Sequence, residues 1–149
     1  MSVEVYTDGS FRKKGNNVYC GYGVYFPDKN IYSKKIGRKF THSPITGNRA
    51  ELYAILKTLN ICNIICKKKN IKHLKIYSDS EYSVKTINKW YKEWLKNGKD
   101  YKNKDIIDDI MLLIKEVSFN VEIIHVRSHI GIEGNEIADK LAKKGANRE

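Results

Sequence analysis

Four carboxylates stand at places where the secondary structure of this chain changes, and they are the first sign of chemistry. Asp8 closes Val3-Glu4-Val5-Tyr6-Thr7-Asp8, whose alternation reads as a half-buried strand. Gly9 then gives a sharp exit, leaving the Asp8 carboxylate at a strand terminus, where open α/β sheets place their chemistry. Glu51 falls in the first turn of a long helix, Asp79 follows a short strand, and Asp139 lies on the last helix. Singly, each has an ordinary explanation as a helix-dipole partner or a cap. Brought to one point, four carboxylates repel one another unless divalent cations neutralise them, and an all-oxygen ligand set suits Mg²⁺ or Mn²⁺ rather than zinc. Two such ions, about 4 Å apart, can stabilise the attacking and departing oxygens of an in-line phosphodiester displacement.

Periodicity supplies the elements that must position these acids. After the first strand, residues 11–18 form a basic turn, 19–26 an aromatic- and Gly-rich strand, 27–30 a turn and 31–37 a returning strand, so the opening is an antiparallel meander. From Asn48 to about Cys66, Leu52, Ile55, Leu56, Leu59, Cys62 and Cys66 recur at steps of three and four, which predicts a helix with one buried face. Residues 74–78 form a short strand, and 80–94 a helix stopped by Asn97-Gly98. Asn103 is placed to cap a helix burying Ile106, Ile110, Leu113, Ile114 and Val117. Residues 121–126 make the last strand and 135–146 the last helix, giving the order βββαβααβα.

A chain of 149 residues fits a single domain, residues 1–149, with one core. Lys and Arg number 28 against 17 acids, a net charge of +11 that favours a polyanionic partner, either nucleic acid or an anionic membrane surface. No segment has the pattern of a signal peptide or the length of a membrane span, so the expectation is a soluble, intracellular protein, in the cytoplasm or a nucleus, with no membrane partner. Cys62 and Cys66 read as reduced thiols packed in the core.

Tyr6-Thr7-Asp8-Gly9-Ser10, Gly47-Asn48-Arg49-Ala50-Glu51-Leu52, Tyr77-Ser78-Asp79-Ser80 and the segment 129–139, His129 to Asp139, occur together and in this order. On these motifs the chain resembles type 1 ribonuclease H from Val3 to about Ala146. The resemblance implies the ribonuclease H-like α/β fold, a mixed five-stranded sheet with its first three strands antiparallel and helices on both faces. It further implies that Asp8 bridges two Mg²⁺ ions, with Mn²⁺ as substitute. Asp139 then completes the site that activates water, and Glu51 and Asp79 the leaving-group side, for products bearing a 5′-phosphate and a 3′-hydroxyl. His129 matches the family's mobile-loop histidine, suited to proton transfer or product release. His125 lies on a strand and reads as structural.

Between Lys85 and Lys104 seven lysines stand against Glu93 and Asp100, interleaved with Trp90, Tyr91, Trp94 and Tyr101. Composition alone leaves open a solvated helix face with packed tryptophans or a binding surface. By resemblance, 85–104 is the family's basic protrusion, which grips the DNA strand of an RNA/DNA hybrid. Lys89 and Lys96 would meet phosphates and Trp90 and Trp94 the deoxyribose, with RNA 2′-hydroxyls read near Asn48. Thr46 and Asn103 match the family's DNA-phosphate pocket. Pro44 stands where many members of that family have an arginine of the pocket, and Gly47 where they have a minor-groove amide; Arg38 or Lys39 is a candidate replacement for the missing guanidinium.

The resulting expectation is a stand-alone, monomeric endonuclease that hydrolyses the RNA strand of RNA/DNA hybrids, in primer removal during DNA replication or clearance of transcription-derived hybrids. Met1 adjoins the first strand, so no separate hybrid-binding domain is expected in front and processivity should be low. The alternatives are a catalytically weak hybrid-binding module and a resolvase- or integrase-like DNA nuclease of the same fold.

Overall fold

Alternating residues set the faces of the first strand: in β1 (Ser2–Lys14), Val3, Val5 and Thr7 are buried, while Glu4 and Tyr6 face the opposite side. The computed structural model describes residues 1–32, 34–128 and 130–148. β1 pairs antiparallel with β2 (Asn17–Phe26), which pairs antiparallel with β3 (Lys34–Lys39). On its other side β1 runs parallel to β4 (His73–Ser78), and β4 runs parallel to β5 (Asn120–His125). The five-stranded sheet has the order β3-β2-β1-β4-β5. It is the mixed α/β sheet expected, with its first three strands antiparallel.

The strand end expected at Asp8 needs correction. β1 continues to Lys14, paired with β2 as far as Asn17. Residues 11–18 are exposed, so this projecting ribbon buries no face and leaves no alternating apolar signal. Asp8 nevertheless sits at an edge that matters, because β4 ends at Ser78 opposite Thr7. Asp8 is thus the first β1 residue beyond its parallel partner. The third strand also begins later than expected: 29–32 form a helical turn, α1 (Lys29–Tyr32), which sets the Tyr32 ring edge-on against Phe26 at 4.9 Å.

Helix α2 (Gly47–Lys69) buries Leu52, Ile55, Leu56, Leu59 and Cys62, as its periodicity predicts. Thr46 caps it, accepting from the Arg49 amide at 3.1 Å, and Asn70 closes it in the left-handed conformation. Residues 81–96 are helical throughout but not uniformly: α3 (Glu81–Lys85) passes through a π turn (86–90) into α4 (Tyr91–Lys96). Within that wide turn the Asn88 side chain donates to the Ile123 carbonyl on edge strand β5. α5 (Lys104–Glu116) packs on α2 and buries Ile106, Ile107 and Ile110, leaving Leu113, Ile114 and Val117 half-buried.

α6 (Glu133–Ala146) lies across β2, β1 and β3. It comes so close that a Cβ on Gly23 would stand 2.4 Å from the Ala138 carbonyl oxygen. Cys20 and Cys62 are buried and Cys66 half-buried, all as free thiols. No helix among the described residues is long and apolar enough to cross a membrane.

Candidate active site

Three chain segments meet at the end of the β1–β4 pair. One carboxylate oxygen each from Asp8, Glu51 and Asp79 lie within 4.8 Å of one another. Asp8 comes from β1 and is 3 % exposed. Asp79 follows β4, and the helix cap there is Ser80, whose hydroxyl accepts from the Ser83 amide at 3.1 Å; the Asp79 carboxylate is therefore free of capping duty. Glu51 is the fifth residue of α2, in its second turn rather than the first turn expected.

Gly9 joins the first two acids. Its amide donates to Asp8 Oδ1 at 2.9 Å and to Glu51 Oε1 at 2.8 Å. A Cβ on Gly9 would lie 2.7 Å from the Glu51 amide nitrogen, so the residue is needed for the close passage of α2 and not, as the sequence suggests, for a sharp turn.

Burial pushes the Asp8 carboxyl far above the usual carboxylate range, and the neighbouring Glu51 and Asp79 push it further. Burial likewise raises Glu51, as do Asp79 and Asp139, against the lowering effect of its hydrogen bonds with Asp8 and Gly9. Crowding and burial therefore both favour the protonated form of the cluster. Glu51 Oε2 is enclosed with no hydrogen-bond partner among the described residues. An all-carboxylate donor set, crowded against its own repulsion and ending in an orphaned buried oxygen, fits a divalent cation.

Asp139 stands apart from this trio. It pairs with Lys143 one turn along α6 at 3.0 Å, although its charge is still felt at Glu51. His129 lies outside the described residues. His125, expected to be structural, is exposed at the end of β5 beside Glu81, Lys85 and Arg127.

Two residues that sequence reasoning does not single out are drawn in. Asn135, 2 % exposed, donates from Nδ2 to Asp79 Oδ2 at 3.5 Å, while its Oδ1 has no partner among the described residues. Arg49, also 2 % exposed, holds Asp105 through two 2.8 Å bonds and reaches the carbonyls of His42 and Ser43 and the Asn103 side chain. An Asn in a helix first turn reads from sequence as a cap, and an Arg beside an acid as a surface pair.

Arg38 and Lys39, the candidate replacements for the missing guanidinium, both lie on β3. Lys39 pairs with Gly21 and lines a groove with Asn147 and Arg148 on the α6 face. Arg38 stands near Tyr22. The guanidinium that reaches Asn103 is that of Arg49. Asn103 does not cap α5 with its side chain; at φ 62° it donates instead to the Tyr82 hydroxyl at 2.9 Å. Thr46 and Asn48 are exposed at the α2 N-terminus. In the protrusion, Tyr82, Trp90, Trp94 and Tyr101 form a half-buried aromatic row, with Trp94 stacked on Tyr101 at 5.1 Å and Lys89 and Lys96 exposed beside it.

Solved structures define the class of this fold. LC11-RNase H1, in a crystal structure with an RNA/DNA hybrid, superposes with a TM-score of 0.67 at 20 % identity, covering 95 % of this chain and 97 % of that one. The fold is of the ribonuclease H class. The chain belongs to the ribonuclease H family, whose model matches residues 1–147. Ribonuclease H of Orientia tsutsugamushi is 35 % identical, over 97 % of this chain and 82 % of that protein. Ribonuclease HI of Haemophilus ducreyi is 36 % identical, over 98 % and 91 %. The chain spans about half the length of mouse ribonuclease H1. It is a hydrolase of this family, as the four sequence motifs imply.

Proposed function

We propose that this chain is an endonuclease that cuts the RNA strand of RNA/DNA hybrids, with residues 1–149 as one catalytic domain acting as a monomer. The observation that carries the reading is the clustered trio of buried Asp8 with half-buried Glu51 and Asp79, an arrangement a hybrid binder gains nothing from, since clustered anions repel a phosphate backbone. The proposed cofactor is a pair of Mg²⁺ ions, with Mn²⁺ as substitute, held by Asp8, Glu51, Asp79 and Asp139. Such ions supply charge neutralisation and Lewis-acid activation at the phosphodiester, leaving a 5′-phosphate and a 3′-hydroxyl.

The chain's own residues position the reactants. Gly9 fixes the Asp8 and Glu51 carboxylates against each other, and Asn135 orients Asp79. Lys143 steadies Asp139 beside the trio. His129 is the proposed proton carrier for leaving-group or product release.

Substrate is held across the protrusion. Trp90 and Trp94 pack on the DNA sugars, and Lys89 and Lys96 meet its phosphates. Thr46 and Asn103 contribute the phosphate pocket and Asn48 reads the RNA 2′-hydroxyl. Arg49, buried beneath them, holds the α2 start to the α5 start and so sets the spacing of Thr46, Asn48 and Asn103.

The test is denaturing-gel cleavage of one end-labelled RNA presented alone, paired to RNA and paired to DNA, with Mg²⁺ or chelator. The reading predicts cutting of the hybrid only, and only with metal. Binding without cutting makes the chain a hybrid-binding module, and neither outcome on hybrid but cutting of branched DNA makes it a resolvase-like nuclease.

A further inference from the structure

The projecting β1–β2 hairpin and the end of α6 enclose a charged surface of which the proposed steps use only Lys143. A cavity of about 240 Å³ lies among Ser10, Phe11, Arg12, Lys143 and Asn147. A larger one of about 610 Å³ lies among Asn16, Asn17, Tyr19, Lys39, Asn147 and Arg148. Asn147 lines both and accepts a hydrogen bond from Arg12. Four cations, Arg12, Lys39, Lys143 and Arg148, line the two cavities, and no carboxylate does among the described residues.

One end of this groove lies near the carboxylates. At its inner end Lys143 pairs with Asp139, and Ser10 is two residues from Asp8. Arg12 shares the Asp8 face of β1, about 14 Å further along at the usual strand rise. The Arg12 guanidinium lies over the Tyr19 ring, 4.2 Å from its centroid, an arrangement that presents a flat cation for a base to stack on. The groove also lies opposite the protrusion: Lys39 belongs to edge strand β3, whereas Asn88 is bonded to the other edge strand, β5. Cations at intervals beside a stacking plane match a single phosphodiester strand.

We infer that the groove binds the RNA strand of the substrate beyond the cleaved bond, as a single-stranded extension on one side of the hybrid. The inference rests on the proposed cleavage of hybrids, because the strand that reaches Asp8 is the one that continues into the groove. The hybrid thus has two grips, the protrusion on the DNA strand and the hairpin groove on the RNA strand.

The experiment compares the affinity of the full chain, in chelator, for a short blunt hybrid and for the same hybrid carrying an RNA or a DNA extension at either end. An RNA extension at one end, and not the other, should tighten binding about tenfold at low salt, with a steeper salt slope. The double variant Arg12→Gln, Arg148→Gln should lose that gain while binding and cutting the blunt hybrid like the parent. No gain from any extension, or a gain that survives in the double variant, overturns the inference while blunt-hybrid cleavage by the parent leaves the proposed function standing. An equal gain from a DNA extension overturns the strand assignment. If the parent fails to cut even the blunt hybrid with Mg²⁺, the proposed function itself falls, and the inference with it.

Discussion

Asp8 and Trp94 belong to regions built on opposite principles. Around Asp8, three like charges are pressed together in a largely buried pocket and held by the Gly9 amide. Around Trp94, like charges are spread over an exposed helical arm, with Lys89 and Lys96 in solvent and only the aromatic row giving it shape. Repulsion at the first site is strong because little water screens it, and it is relieved by protonation or by a cation. Repulsion at the second is weak and is screened by salt. Changes at the first should therefore act on chemistry, on stability and on their pH dependence, and changes at the second on affinity and its salt dependence.

The largest effect separates the two outright. Chelation should lower hybrid cleavage by about a thousandfold or more while leaving the protrusion able to bind, which a parallel binding titration checks. Next is stability without metal. The raised Asp8 pKa means that the folded chain keeps a proton that the unfolded chain releases above about pH 4, so folding is disfavoured progressively as pH rises through that range. Asp8→Asn should then melt higher than the parent in chelator, by about 1–3 kcal/mol at neutral pH, with the gap closing as pH falls toward 4. Titrating Mg²⁺ into the parent should release protons, seen as a calorimetric heat that depends on the buffer.

Replacing Trp90 or Trp94 with Ala should raise KM for hybrid by about 5- to 100-fold, if each ring contributes as stacking residues commonly do, and leave kcat near the parent value. The smallest effect concerns the link between the regions. Arg49 holds the Asp105 carboxyl down to about 2, so its stabilisation is present above about pH 4 and is lost as pH falls toward 2. Asp105 is largely exposed, and after screening Asp105→Asn should cost less than about 1 kcal/mol, measured by denaturant unfolding at neutral pH.

The sequence made the acids legible and their supports illegible, for physical reasons. Asp8, Glu51 and Asp79 stand in local motifs, and the trio meets where those motifs say it should. The long helix was readable because Leu52, Ile55, Leu56, Leu59 and Cys62 share one buried stripe. Beyond Ser10, β1 was not, since a ribbon exposed on both faces has no hydrophobic period. Gly9 looked like a turn residue, although what it accommodates is α2, forty-two residues away in the chain. Asn135 and Arg49 act across similar separations, on Asp79 and Asp105, and nothing in their immediate neighbours announces either partner. Asp139 pairs with Lys143 on its own helix, and its charge is still felt at Glu51.

The most direct test of the central claim is to give Asp8→Asn an RNA/DNA hybrid with Mg²⁺ and to measure binding and cutting on the same sample. A carboxylate site that cuts, separate from a protrusion that grips, predicts hybrid bound at least as tightly as by the parent and its RNA left intact. Cleavage at the parent rate would contradict the account, because the acid at its centre would then be dispensable.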